Sequence, residues 1–328
     1  MESDSLIGGS LFLIKQYIRK ADSEILPFNG LKANPDQLKK AEHIRNALYK
    51  NMDRSFDAVV SDILSFIKFG FSFHEPVYKL NPEGKYIWKD FPIRSQGSIT
   101  DFKFKNGKFT GIEQQVLNGA SFSSLSTIKK FIPKERLLHF RTDGYRDDPL
   151  GRSVLKNAYK SYYFKTMLEE TEATSAEKEL NGLPQITFPS EYWAADPVED
   201  PERYSALQSF LAMGANARNN EQAFIALPSD RDESGNLLFT FDLLASKGTR
   251  GIDISKIVER YDNRIAQSMM TDFMLMGAGS TGSFALSDNK IGSFVASLEA
   301  FLEVIAEQFN RKAIPELYRM NGWDVNES

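Results

Sequence analysis

Few residues in this chain are equipped for chemistry. Asp147-Asp148 and, further on, Asp230 with Asp232-Glu233 set carboxylates close enough to hold a divalent cation or to work as general acid and base. In that role they would serve a metal-dependent phosphodiesterase. Each group adjoins Pro or Gly in a turn-like setting, so solvated turn residues are the commoner outcome, and the further acids a nuclease needs cannot be placed from sequence. His43, His74 and His139 lie far apart and match no paired-histidine metal spacing. The chain has no cysteine, which removes disulfides, thiolate zinc sites and thiol nucleophiles and suits a reducing compartment. No nucleophile elbow or Ser/His/Asp arrangement stands out. The expectation is a chain without catalytic residues, metal or cofactor.

Gly277-Ala278-Gly279-Ser280-Thr281-Gly282 spells GxGxxG, a pattern that cradles pyrophosphate when it joins a strand to a helix. Here it follows a Met-rich amphipathic helix, with no βαβ unit around it, and the next helix is expected only from Lys290. It reads as a flexible glycine loop. The Gly-Lys-Ser/Thr ending of a P-loop is also missing.

Charge narrows the partners. Forty Lys and Arg against 44 Asp and Glu leave a net charge of −4, with a pI near 5.6. Such a chain has no net positive field with which to wrap DNA non-specifically. At 328 residues it is long enough for roughly two domains. Its 41% hydrophobic and 26% charged residues and mean hydropathy of −0.37 fit a globular protein. The opening Met1-Glu2-Ser3-Asp4 lacks the basic start of a secretory signal. The least charged long stretch, 265–287, contains Gln267, Asp272 and a Gly/Ser/Thr run, so no membrane span is expected.

These residues need elements to position them, and the chain offers helices first, then strands. Residues 11–18 suggest a short strand or helix. Asn34-Pro35 is an N-cap and first-turn pair opening a helix through Tyr49. A second helix runs from about Ser55 to Gly70. The next eighty or so residues read as short strands, with the strongest hairpin signal at Asn106-Gly107. An α+β domain ending near Asp148 is expected.

Residues 152–181 hold no Pro or Gly and read as one helix of roughly 45 Å. Arg152, Lys156 and Lys160 share one of its faces at i, i+4 spacing. A small α/β insertion follows over 182–250, with strand candidates at 184–188, 223–227 and 237–241, an acidic loop at 196–200 and a helix over 202–213. A second long helix is expected from Asp253 to about Leu275, then the glycine loop, then a third helix from Lys290 that bends or restarts near Pro315.

The sequence resembles the portal (connector) proteins of tailed bacteriophages, most closely the Mu-type portals. The likeness is carried by Ala58-Val59-Val60-Ser61-Asp62-Ile63-Leu64 leading into Phe69-Gly70-Phe71-Ser72-Phe73-His74-Glu75, and by Pro149-Leu150-Gly151-Arg152-Ser153-Val154-Leu155. It continues through Asn181-Gly182-Leu183-Pro184 and Gly282-Ser283-Phe284-Ala285 to the closing Asn321-Gly322-Trp323. The resemblance implies a portal fold: an α/β wing (1–151), two stem helices (152–181 and 251–276), a small α/β clip (182–250), a tunnel loop (277–289) and a long wing helix from 290. Family members commonly carry more chain at both ends, including a C-terminal helical crown. This sequence stops soon after Trp323, so the crown is expected to be absent or removed.

By the same resemblance the protein forms a ring, usually a dodecamer, at one capsid vertex of the virion after assembly in the host bacterial cytoplasm. Double-stranded DNA passes through the ring. Channel contact falls to Gly277, Gly279, Ser280, Thr281, Gly282, Ser283 and Asn289, with Lys290 at the loop's base. Arg152, Lys156 and Lys160 are second-choice channel residues, or bind the neighbouring subunit. Asp196, Glu199 and Asp200 in the clip would face the terminase large subunit and head-completion proteins. Major capsid protein and scaffold are the remaining partners. A non-portal adaptor ring and the phosphodiesterase are the alternatives.

Overall fold

The computed structural model describes residues 1–118, 126–181, 183–187, 190–218, 233, 235, 240–244, 253–275 and 284–328. The chain divides into two compact units, Met1–Tyr162 with Tyr261–Ser328, and Tyr163–Arg260.

In the first unit, α1 (Ser5–Lys20) starts where the Asp4 carboxylate accepts from the Leu6 and Ile7 amides at 3.0 and 2.9 Å. Ile7, Ile14 and Ile18 form its buried stripe, which resolves the strand-or-helix ambiguity of 11–18. α2 (Pro35–Tyr49) opens on a capping box between Asn34 and Gln37. The single helix expected over 55–70 is two, α3 (Phe56–Ile63) and α4 (Ser65–Phe69). The break is at Leu64, where the Ile67 amide turns back to the Leu64 carbonyl at 3.1 Å. α4 ends on Gly70 in the left-handed conformation.

Strands β1 (Phe71–His74), β2 (Val77–Leu80), β3 (Tyr86–Asp90), β4 (Ile93–Arg94), β5 (Ile99–Lys105), β6 (Lys108–Asn118), β7 (Ser126–Pro133) and β8 (Leu138–Arg141) follow. They form antiparallel groups in the orders β4-β1-β8, β2-β3 and β5-β6-β7. Asn106 and Gly107, at φ 51° and 73°, turn β5 into β6, with Lys105 opposite Lys108.

Next come α5 (Leu155–Asn181), β9 (Leu183–Thr187), α6 (Ser190–Trp193), α7 (Pro201–Arg218), β10 (Thr240–Leu244), α8 (Ile254–Ser268), α9 (Phe284–Gln308) and α10 (Ile314–Met320). In the second unit β9 pairs antiparallel with β10, so the strand expected at 237–241 sits three residues later. The strand expected at 223–227 lies outside the described residues. A π turn, Phe309–Ala313, links α9 to α10, and Pro315 stands in α10's first turn.

The main core gathers Trp88, Phe66, Phe91 and Phe140 with Ile44, Ile63 and Leu138, against Phe294 of α9, Phe309 of the π turn and Leu317 of α10. A second cluster, Phe71, Phe73, Phe109, Ile112, Ile132 and Leu137, joins β1 to the β5-β6-β7 sheet. Ile7, Ala158, Ile265 and Met269 form a third.

Candidate functional site

Both ends of the glycine-rich segment are described, and an ion pair ties them. α8 stops at Ser268, short of Leu275. Met270 takes φ 58°, and the Thr271 amide bonds back to the Ala266 carbonyl at 2.9 Å. The buried Thr271 hydroxyl meets that of Ser10 at 2.8 Å, and a short 3₁₀ turn, Asp272–Leu275, follows. On the far side α9 begins at Phe284, so Asn289 and Lys290, expected in or beside a loop, lie within a helix. Lys290 Nζ donates to Asp272 Oδ2 at 2.5 Å, while the rings of Phe273 and Phe294 meet at 5.1 Å. The base of the segment is thus a neutralised pair and an aromatic contact. Gly277, Gly279, Ser280, Thr281, Gly282 and Ser283 lie outside the described residues.

Arg152 precedes α5 instead of opening it. Its guanidinium donates to Asn157 Oδ1 at 2.6 Å, and only Lys156 and Lys160 of the expected basic face stand exposed on the helix. The cause is a clasp between two segments far apart in sequence. The Gly70 carbonyl accepts from the Thr142 amide at 3.0 Å, the Val154 amide donates to the Ile67 carbonyl at 3.2 Å, and the Arg152 amide to the Asp143 carbonyl at 3.0 Å. Ser153 Oγ donates to the Lys68 carbonyl and accepts from the Leu155 amide at 3.1 Å. Residues whose backbone groups are spent this way cannot continue the helix upstream.

In the second unit, Asp196 and Glu199 are exposed and Asp200 is half-buried. The Asp196 carboxylate accepts from the Val198 and Glu199 amides at 2.7 and 3.3 Å, and Asp200 pairs with Arg203 at 3.2 Å. Turn and helix-start duties therefore occupy two of the three acids.

The histidines do not converge. His74 is fully buried on β1 and donates from Nδ1 to the Phe91 carbonyl at 2.9 Å. His139, on β8 opposite Phe73, stacks on that ring at 4.3 Å and donates from Nε2 to the Pro149 carbonyl at 2.9 Å. Burial pushes both imidazoles down to about 4, so they are neutral at physiological pH. His43 packs its ring against Trp323. The Asp148 carboxylate accepts from the Leu150 amide at 2.9 Å, closing a turn. Asp230 and Asp232 lie outside the described residues. Among the described residues no group of three or more His, Cys, Asp or Glu is placed to hold a metal, and no helix is long and apolar enough to cross a membrane.

The motifs behind the resemblance prove to be structural joints. A Cβ on Gly151 would stand 2.1 Å from the Gly70 carbonyl oxygen, so the two glycine motifs meet backbone to backbone. Glu75, 7% exposed, receives both Arg94 and Arg136. Asn321 accepts from the Tyr86 amide at 2.8 Å and donates to its carbonyl at 3.0 Å, fastening the C-terminal segment to β3. Thr142, Arg94 and Arg136 carried no signal in the sequence, because their partners are set by the fold.

The chain matches the family model described as the portal protein of Mu bacteriophage over residues 1–327. No curated protein sequence matches it. Among solved structures it is similar to a chain of the virion of a native gene transfer agent particle, at 13% identity and a TM-score of 0.52, covering 88% of this chain and 71% of that one. It is also similar to a chain of the neck of a native gene transfer agent particle determined with C12 symmetry, at 13% identity and a TM-score of 0.56, covering 94% and 78%. These likenesses bear on the fold, a mixed helix-and-sheet architecture. The sequence match spans all the joints described above, and the chain belongs to the family of Mu bacteriophage portal proteins, which are structural rather than enzymatic.

Proposed function

We propose that twelve copies of this chain form a ring at one vertex of a phage capsid, through which double-stranded DNA is packaged and ejected. The observation that carries the reading is membership of the portal family over residues 1–327; the neck with C12 symmetry offers a ring of matching architecture. Exposed apolar side chains support assembly. α5 exposes Met167 and α9 exposes Ile291 and Val295, apolar area of the kind that interfaces cover.

In this reading residues 277–283 and the first turns of α9 meet DNA. A channel that passes DNA both ways should hold phosphate weakly, because every neutralised phosphate adds salt-dependent affinity that slows sliding. The pairing of Lys290 with Asp272 suits that need, leaving little free positive charge at the base of the segment. Lys156 and Lys160, exposed on α5, guide the duplex or bind a neighbouring subunit, with Arg152 beside them. The clip acids Asp196, Glu199 and Asp200 face the terminase large subunit during packaging and head-completion proteins afterwards. Capsid protein and scaffold contact the ring elsewhere; assembly takes place in the host bacterial cytoplasm and the product resides in the virion.

Phage carrying a shortened 277–282 segment test the channel, with Lys290→Glu alongside. Reduced packaged DNA or poor retention is expected from both. Normal packaging and retention in both contradicts the channel assignment.

A further inference from the structure

The first unit holds a cleft of about 780 Å³ between the β5-β6 turn, the 3₁₀ turn Lys134–Arg136 after β7, and the π turn leading into α10. Its size is that of an ordinary ligand-binding cleft. It is also the place where an acidic chain collects unpaired positive charge. Lys105, Lys108, Lys134 and Arg319 all line it and are exposed, and none has an ion-pair partner among the described residues. Elsewhere in the same unit several cations are matched, Arg19 with Asp57, Arg54 with Asp62 and Asp90, Lys79 with Asp53, whereas this cleft brings four unmatched ones together.

Part of this charge is held at a local cost. Lys105 and Lys108 stand directly opposite each other across the hairpin, an arrangement that destabilises a strand pair. Lys312 sits half-buried behind them, donating to the carbonyls of Lys134 and Leu137 at 2.6 and 2.5 Å. That contact pins the π turn, a geometry that concentrates at functional sites, against the base of the cleft.

We propose that this cleft binds a carboxylate-rich peptide segment of a partner protein. The lining distinguishes a peptide from nucleic acid. Phe109 and Pro315 give the cleft an apolar component, and Glu135, Asp147 and Glu316 interrupt its cations. A phosphodiester backbone carries a charge at every step and makes no use of the apolar surface, whereas a peptide alternating acidic and apolar side chains can set its carboxylates at the cations and its apolar groups beside Phe109 and Pro315. The inference stands apart from where DNA passes through the ring.

The test is fluorescence anisotropy on the full chain with a fluorescein-labelled peptide of alternating Glu and Phe, beside a Lys-for-Glu version and a labelled DNA duplex. The wild-type protein is expected to bind the acidic peptide alone. Lys105→Glu with Lys108→Glu should raise the Kd about tenfold, and Lys105→Arg with Lys108→Arg should leave it within about twofold. Arg319→Glu, on an exposed helix position, gives the same readout should the hairpin variant fail to fold. Absence of peptide binding overturns the proposal, as does a Kd unmoved by charge reversal. Stronger binding of the duplex would make the cleft a nucleic-acid surface. Loss of assembly by light scattering in the folded charge-reversal variants would make it a contact between copies. Either result overturns the peptide reading.

Discussion

Gly70 and Gly151 define the residue scale, because each leaves no room for a side chain on the other. Gly151→Ala drives a Cβ into a backbone oxygen, which only a shift of the clasp can relieve. A loss of about 3 kcal/mol or more in urea unfolding is expected. A stable Gly151→Ala protein would contradict the clasp. The buried histidines set a pH dependence. In the unfolded chain each imidazole titrates near about 6.5, while burial holds both at about 4 in the fold. Above about pH 6.5 both states are neutral and stability is full. As pH falls toward 4 the unfolded chain takes up protons that the fold refuses, so stability drops by up to about 1.4 kcal/mol per pH unit for each ring. Urea unfolding at about pH 7.5, 5.5 and 4.5 reads this directly, and a flat profile contradicts it. At this scale the sequence exposed which residues mark the family but not what they do. Gly70 and Gly151 lie far apart in the chain, and only the fold shows that they touch.

Elements were legible where local chemistry punctuates them. Asn34 with Gln37, and Asn106-Gly107, encode a helix start and a hairpin in a few residues, and both are found. The signals failed where tertiary contacts decide. Ser287, Asp288 and Asn289 favour loops, yet they lie inside α9. The propensity penalty of at most about 0.7 kcal/mol each is outweighed by the packing of Phe294 and Leu298 further along the helix. α8 stops without a glycine, at Ser268, with Met270 in the left-handed region just beyond, because the Thr271–Ser10 hydrogen bond and the Asp272–Lys290 pair fix the chain there. That pair is partly exposed, so its worth is about 1 kcal/mol. Lys290→Glu should cost about 1–2 kcal/mol through repulsion from Asp272, and adding Asp272→Lys should restore most of it. A double-mutant cycle in thermal unfolding measures the coupling, and strictly additive effects contradict a functional clasp.

At the scale of the whole molecule, the acidic balance and the apolar surface left on α5 and α9 point the same way. A net charge of −4 gives no net positive field for non-specific DNA binding, and Met167 and Ile291 are exposed apolar side chains. The mixed helix-and-sheet class and the long α5 were legible from composition and periodicity. The sites expected around 277–283 and at Asp230 and Asp232 fall outside the described residues, and the basic cleft was invisible because its cations come from three segments far apart in sequence. The central claim is the ring, and mass in solution by light scattering, with negative-stain images of the same fraction, tests it most directly. Twelve copies of the 37.1 kDa chain give roughly 445 kDa. The account predicts a species of that mass with a central hole; a monodisperse monomer at every concentration would contradict it.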